Sequence, residues 1–149
     1  MQRAAAKPSY ANSVELHLER LNADVWTIEL ADSDLSVLEL FAPYRGRLRK
    51  KIAIGVVGHR TLQVEQPEEV AELVRRALHF IDAEHLVLSS DCGFGRQGFN
   101  RLIAYYKAAA IAQGANIVRR ELGGAEHEVR AADPAVQVDV LRTVPEPAP

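Results

Sequence analysis

The sequence is short of almost everything that defines a specialised class. It has one cysteine in 149 residues, Cys92, which excludes a disulfide-dense scaffold. Neither charge dominates: 18 Lys and Arg stand against 20 Asp and Glu, a net charge of −2, so the chain as a whole is no strongly basic nucleic-acid binder. No stretch approaches the roughly 18 consecutive apolar residues a membrane helix needs. Met1 to Lys7 lacks the apolar centre of a signal peptide. These absences predict a cytoplasmic protein with a reduced thiol and no membrane partner. Length is also lacking: a closed (β/α)8 barrel takes about 250 residues, with about 200 as a floor. What is present is ordinary core material, 48% hydrophobic and 26% charged residues, enough to bury one domain's core.

Helix and strand signals alternate along the chain. Residues 1–11 show no periodicity and read as a displaced N-terminus. Asn12 to Glu15 resembles a capping box, with Val14, Leu18 and Leu21 on one helical face. Asp24 to Leu30 reads as a strand, then a helix capped by Asp32 or Ser33 runs to Phe41 and ends at Pro43. The basic segment Arg45 to Lys51 has no interleaved aromatic residue to stack on bases and reads as a solvated connection. Ile52 to Val57 is an apolar run of the kind buried on both faces of a parallel sheet. Pro67, Glu68 and Glu69 open a helix whose apolar positions, Val70 through Ile81, follow one face. His85 to Ser90 is a third strand, followed by a glycine-rich loop and a helix capped by Asn100 and stopped by Gly114. Ala115 to Glu121 is read as a further short strand, and most of 123–149 as an Ala- and Pro-rich tail with residual strand at Val136 to Val140. Such alternation predicts the α/β class with parallel strands.

In parallel α/β sheets, ligands bind at the carboxyl ends of the strands. Those ends carry Glu29, then Gly58, His59 and Arg60, then Asp91 and Cys92. Carboxylate, imidazole and thiol are all zinc-ligand types, and a catalytic zinc takes three protein ligands with one position open. A competing pattern overlaps the third end. Gly93, Gly95 and Gly98 spell G-x-G-x-x-G after a strand, and Glu121 follows 23 residues beyond Gly98, the layout of a dinucleotide fingerprint. Asp91 and Cys92 separate the strand from the first glycine, and bulky Phe99 follows the last.

Three stretches together resemble the C-terminal half of cobalamin-independent methionine synthase: Ala23 to Glu29; Ile54 to Val57 with His59 to Glu65; and Leu86 to Gly95 with its Asp91-Cys92-Gly93 step. The resemblance covers residues 12–122. It implies a partial (β/α)8 TIM barrel, its last three βα units. It also implies a zinc ion held by a His-x-Cys pair, a glutamate and a second cysteine. Glu29 matches the glutamate and Cys92 the second cysteine. The His-x-Cys pair belongs to an earlier part of the family's sequence, and the single cysteine here cannot supply it. Arg60 falls at the place of the family's catalytic histidine, His59 lies beside it, and Gly58 replaces an acid.

The implied reaction is methyl transfer from 5-methyltetrahydrofolate to the thiolate of homocysteine. A related transfer to another thiol, such as coenzyme M, is the alternative acceptor chemistry. A dinucleotide-binding module and a non-catalytic subunit are alternatives of other classes. With two of four implied ligands and three of eight strands, the chain is expected to be a truncated member, inactive alone. It would self-associate or work with a missing N-terminal half, because an open parallel sheet exposes its edges.

Overall fold

The computed structural model describes residues 10–95 and 98–133. Its centre is a three-stranded parallel sheet in the order β1 (Val25–Ile28), β2 (Lys51–Val57), β3 (Leu86–Ser90). Each strand neighbours the next in sequence, so the sheet winds in one direction with no switch in strand order. That winding is shared by an arc of a (β/α)8 barrel and by one half of a doubly wound sheet.

The middle strand follows from its composition. Ile52, Ala53, Ile54, Val56 and Val57 are all buried, as an apolar run covered on both faces must be. The register pairs Trp26 with Ile52 and Ile52 with Leu86, and slips at Gly55 to Val57 opposite Ser89 and Ser90. A Cβ at Gly55 would lie 1.9 Å from Asp91 Oδ1, so glycine there lets the Asp91 carboxylate cross β2.

Helix α1 (Pro67–Leu78) has Pro at its first turn, and the Gln66 N–H donates to Glu69 Oε2 at 2.7 Å. It buries Val70, Ala71, Val74 and Ala77, the face its periodicity predicts. Helix α2 (Arg101–Glu121) starts as expected, with Asn100 Oδ1 accepting from Ile103 N–H at 2.9 Å.

Four expectations are corrected. Gly114 does not stop α2. The helix runs through it and absorbs Ala115 to Glu121, so no strand forms there. The reason is packing: a Cβ at Gly114 would lie 2.5 Å from Val70 Cγ1 and 2.8 Å from the Pro67 carbonyl, so the glycine is where α1 and α2 touch. The true stop is Gly123, at φ 75°, with Gly123 N–H bonded to Arg120 O and Gly124 N–H to Arg119 O in a Schellman pattern. The segment before β2 is a 3-10 helix, Leu35–Tyr44, that contains Pro43. Its cap is Asp34, whose carboxylate takes the Ser36 N–H at 3.0 Å, because Asp32 is engaged elsewhere. The Asn12–Glu15 capping box does not form; Ser13 and Val14 N–H bond to Tyr10 O, and a π-helical turn spans Leu16–Arg20.

The flanks tie back to the core. Tyr10 packs edge-on against Trp26, and its hydroxyl accepts from Glu29 N–H at 3.2 Å. Asn116 on α2 holds both the N–H and the carbonyl of His127. In the basic connection, Arg45 bonds His79 O and pairs with Asp82, and the Lys50 ammonium reaches the His17 and Leu21 carbonyls. Val136 to Val140 lie outside the described residues. No helix among the described residues is long and apolar enough to cross a membrane.

Candidate metal centre

The first residue after β1 is Glu29, the second after β2 is His59, and the second after β3 is Cys92. Three adjacent parallel strands place these positions on one rim. Their ligand atoms, one each from carboxylate, imidazole and thiol, all lie within 4.8 Å of one another. Glu29 and Cys92, 63 positions apart, thus meet at one point. Zinc bonds of about 2.0–2.3 Å would draw tetrahedral ligand atoms to about 3.3–3.8 Å. Cys92 is exposed and the Glu29 side chain 38% exposed, so both have room to make that adjustment.

His59 differs from these two. It is 4% exposed, and its Nδ1 is buried without a hydrogen-bond partner, 4.0 Å from Asp32 Oδ2. Arg60, the next residue, turns outward: its guanidinium is 58% exposed and 3.8 Å from the Glu29 carboxylate. Gly58, the first residue after β2, has a steric reason to be glycine. A Cβ there would meet the Asp32 carboxylate at 2.6 Å. An acid from the β1 loop thus occupies the space beside position 58.

Behind the rim lies a carboxylate network that local sequence patterns do not announce. Asp91, 6% exposed, accepts three backbone N–H bonds, from Leu30 at 2.7 Å, Ala31 at 2.9 Å and Asp32 at 2.8 Å. Asp32 in turn accepts from the His59 and Arg60 N–H groups at 3.1 and 3.2 Å. Glu65 accepts from Gly58 N–H at 2.8 Å and holds both oxygens against the ammonium of Lys107, a fully buried lysine on α2. Asp32, His59 and Asp91 also form a compact triad of metal-ligand types. Its carboxylates are already committed to backbone donors, so it serves as a scaffold. Lys107 carried a readable signal: it shares the inward face of α2 with Ile103 and Ala110, and a buried ammonium requires an acid.

The dinucleotide layout does not survive. Glu121 ends a helix instead of a strand and forms a two-point pair with Arg75, at 2.7 and 3.0 Å. Gly93, Gly95 and Gly98 remain in the loop before α2, with Arg96 and Gln97 outside the described residues.

Comparison with known proteins joins this geometry to a lineage. The family described as the catalytic domain of cobalamin-independent synthase matches residues 8–114. The chain belongs to this family. It is 40% identical over 73 residues to a methionine synthase of Thermococcus kodakarensis, covering 49% of this chain and 21% of that protein. It is 28% identical over 123 residues to a methionine synthase of Sulfurisphaera tokodaii, covering 83% and 35%. It is 30% identical over 102 residues to a 5-methyltetrahydropteroyltriglutamate–homocysteine methyltransferase of Buchnera aphidicola, covering 68% and 13%. Among solved structures, a B12-independent methionine synthase from Shewanella sp. W3-18-1, in complex with selenomethionine, superposes with a TM-score of 0.62 at 34% identity, over 74% of this chain and 31% of that one. The chain thus spans between 13% and 35% of the length of these family members.

Proposed function

We propose that this chain carries part of the catalytic centre of a zinc-dependent methyl transfer from 5-methyltetrahydrofolate to the thiolate of homocysteine. The observation that carries the reading is the convergence of Glu29, His59 and Cys92 at three consecutive strand ends in a member of this family. The donor set suits zinc: a carboxylate oxygen and a thiol sulfur of types it binds, with an imidazole facing them. A bound zinc ion supplies Lewis acidity that keeps a substrate thiol ionised at neutral pH.

The protein's own residues divide the remaining work. Glu29 and Cys92 hold the ion. In the transfer a sulfur–carbon bond forms as the carbon–N5 bond breaks, and the departing nitrogen takes the electron pair and, by way of solvent, the proton the thiol lost. Arg60 stands exposed at the same rim. A guanidinium is a fixed positive charge and a fork of donors, not a proton shuttle, so Arg60 orients an anionic part of a substrate. His59, buried behind it, faces the same acid–thiol pair. The acceptor thiol is homocysteine in this reading, with coenzyme M as the alternative.

Further barrel strands would enclose the substrates. Among the described residues β1 and β3 each pair on one side only, so strand edges are available to a second copy or to an N-terminal half. The test is methionine formation from homocysteine and 5-methyltetrahydrofolate by the zinc-loaded chain, alone and mixed with an N-terminal barrel half from a relative. Activity lost in Cys92→Ser supports the reading. Equal turnover by Cys92→Ser refutes it, and a fully inactive mixture with intact metal binding favours a non-catalytic subunit.

A further inference from the structure

We infer that His59 is itself a metal ligand, so that this chain supplies three zinc donors, Glu29, His59 and Cys92. The inference rests on the zinc reading and goes beyond it, since that reading needs only Glu29 and Cys92 as ligands.

Three observations on the structure lead here. First, the imidazole offers a ligand atom within 4.8 Å of both the Glu29 carboxylate and the Cys92 thiol. Second, the ring is almost wholly buried, and its Nδ1 has no hydrogen-bond partner. A metal at the other ring nitrogen would fix the proton on Nδ1 and give this buried, unpaired atom a donor's role. Third, the nearest group to Nδ1 is the Asp32 carboxylate, at 4.0 Å. Metal-bound histidines characteristically direct their second ring N–H to a carboxylate, which fixes the tautomer and strengthens the ligand. With Nδ1 facing Asp32, Nε2 is the nitrogen left for the ion.

The alternative cluster around the same ring does not compete. Asp91 spends both oxygens on three backbone N–H groups, and Asp32 holds the backbone of His59 and Arg60. A cation there would compete with backbone donors at both Asp91 oxygens and at Asp32 Oδ2. Glu29 and Cys92 give up little: the only ion pair of Glu29 among the described residues is the long contact with Arg60, and Cys92 is exposed. Three protein ligands with the fourth position open is the arrangement of a catalytic zinc site, in which the open position receives the substrate thiol.

Cobalt(II) titration of the full, reduced, metal-free chain tests the assignment. The expected result is one equivalent bound, a thiolate-to-cobalt charge-transfer band, intense tetrahedral d–d bands, and displacement by zinc. His59→Gln should keep the thiolate band, alter the d–d envelope and weaken binding by at least roughly 10–100-fold. Cys92→Ser should remove the thiolate band. Unchanged affinity and d–d bands in His59→Gln overturn the inference while leaving the zinc reading intact. No cobalt binding by the parent chain overturns the inference, and none by its mixture with an N-terminal barrel half overturns the zinc reading as well. Should His59→Gln fail to fold, long-range 1H–15N NMR of the parent decides. Zinc must shift the His59 Nε2 resonance and lock the proton on Nδ1, and an unmoved imidazole overturns the inference.

Discussion

Asp91 is where one atom exchange should be felt most widely. Its carboxylate takes the N–H groups of Leu30, Ala31 and Asp32, and the first of these belongs to a residue with no exposed surface. Hydrogen bonds to a charged acceptor contribute about 1.5–3 kcal/mol each, and a buried donor stripped of its acceptor costs about 1–3 kcal/mol. In Asp91→Asn the amide oxygen can still face Leu30 and Ala31, which share Oδ1, but the NH2 then opposes the Asp32 N–H. One bond is lost and two are weakened, so the expected loss is about 2–4 kcal/mol. Asp91→Ala orphans all three donors and should cost about 4 kcal/mol or more, short of the simple sum because the loop relaxes. Urea denaturation followed by Trp26 fluorescence reads the change. With a slope of about 2 kcal/mol per molar, Asp91→Asn should lower the midpoint by about 1–2 M. Asp34→Ala is the comparison, since that carboxylate holds one exposed N–H, and its midpoint should move far less than that of Asp91→Asn. A midpoint for Asp91→Asn within 0.3 M of the parent, at unchanged slope, would refute the reasoning.

Lys107→Met strands the Glu65 carboxylate and should destabilise by about 2–4 kcal/mol, discounted from a fully buried pair because Glu65 keeps some exposure. Adding Glu65→Gln should restore part of the loss, and a double-mutant cycle in urea measures the coupling. Gly114→Ala gains about 1 kcal/mol of helix propensity but drives a Cβ into Val70 and the Pro67 carbonyl, so the net sign should be destabilising; a higher thermal midpoint would contradict the contact. Arg75 holds the carboxyls of Glu121 and Glu72 below the ordinary glutamate range, Glu121 by hydrogen bonding directly and Glu72 with Arg76 as the larger cause. Groups with lowered folded pKa stabilise above the unfolded value, 4.5, and lose that contribution as pH falls through the folded one, so Glu121→Gln should flatten the pH dependence of the urea midpoint below about pH 4.5.

Most of the strand framework was legible because it depends on local composition. Ile52 to Val57 could only be buried on both faces, and the helix after Pro67 carried its own start signals. The rim was legible too, since parallel strands necessarily bring Glu29, His59 and Cys92 to the same end of the sheet. Apart from the Asn12–Glu15 box, which gives way to the nearby Tyr10 carbonyl, the errors come from contacts far apart in sequence. Gly114 reads as a stop from its neighbours, but its role is set by Val70, on another helix. Asp32 reads as a helix cap, but its carboxylate is held by N–H groups 27 and 28 positions away. Asp91 reaches 59 to 61 positions back, and nothing beside it in the chain indicates that.

Those distant ties explain why the three candidate ligands converge. Asp91 fastens the loop after β3 to the loop after β1, and Asp32 fastens the loop after β1 to the loop after β2. Glu65 and Lys107 then fasten the loop after β2 to α2. Each candidate ligand stands within one residue of such a tie: Glu29 precedes Leu30, His59 donates its own N–H to Asp32, and Cys92 follows Asp91. A site positioned by committed backbone bonds is organised before any ion arrives, which lowers the ordering cost of binding one. Gly55 and Gly58 belong to the same design, because each leaves the space one of these carboxylates occupies. If the proposed metal site is right, stability and metal affinity should be coupled in this chain. Asp91→Asn, which touches no candidate ligand, should weaken cobalt binding as well as folding, whereas Gly114→Ala should alter folding alone.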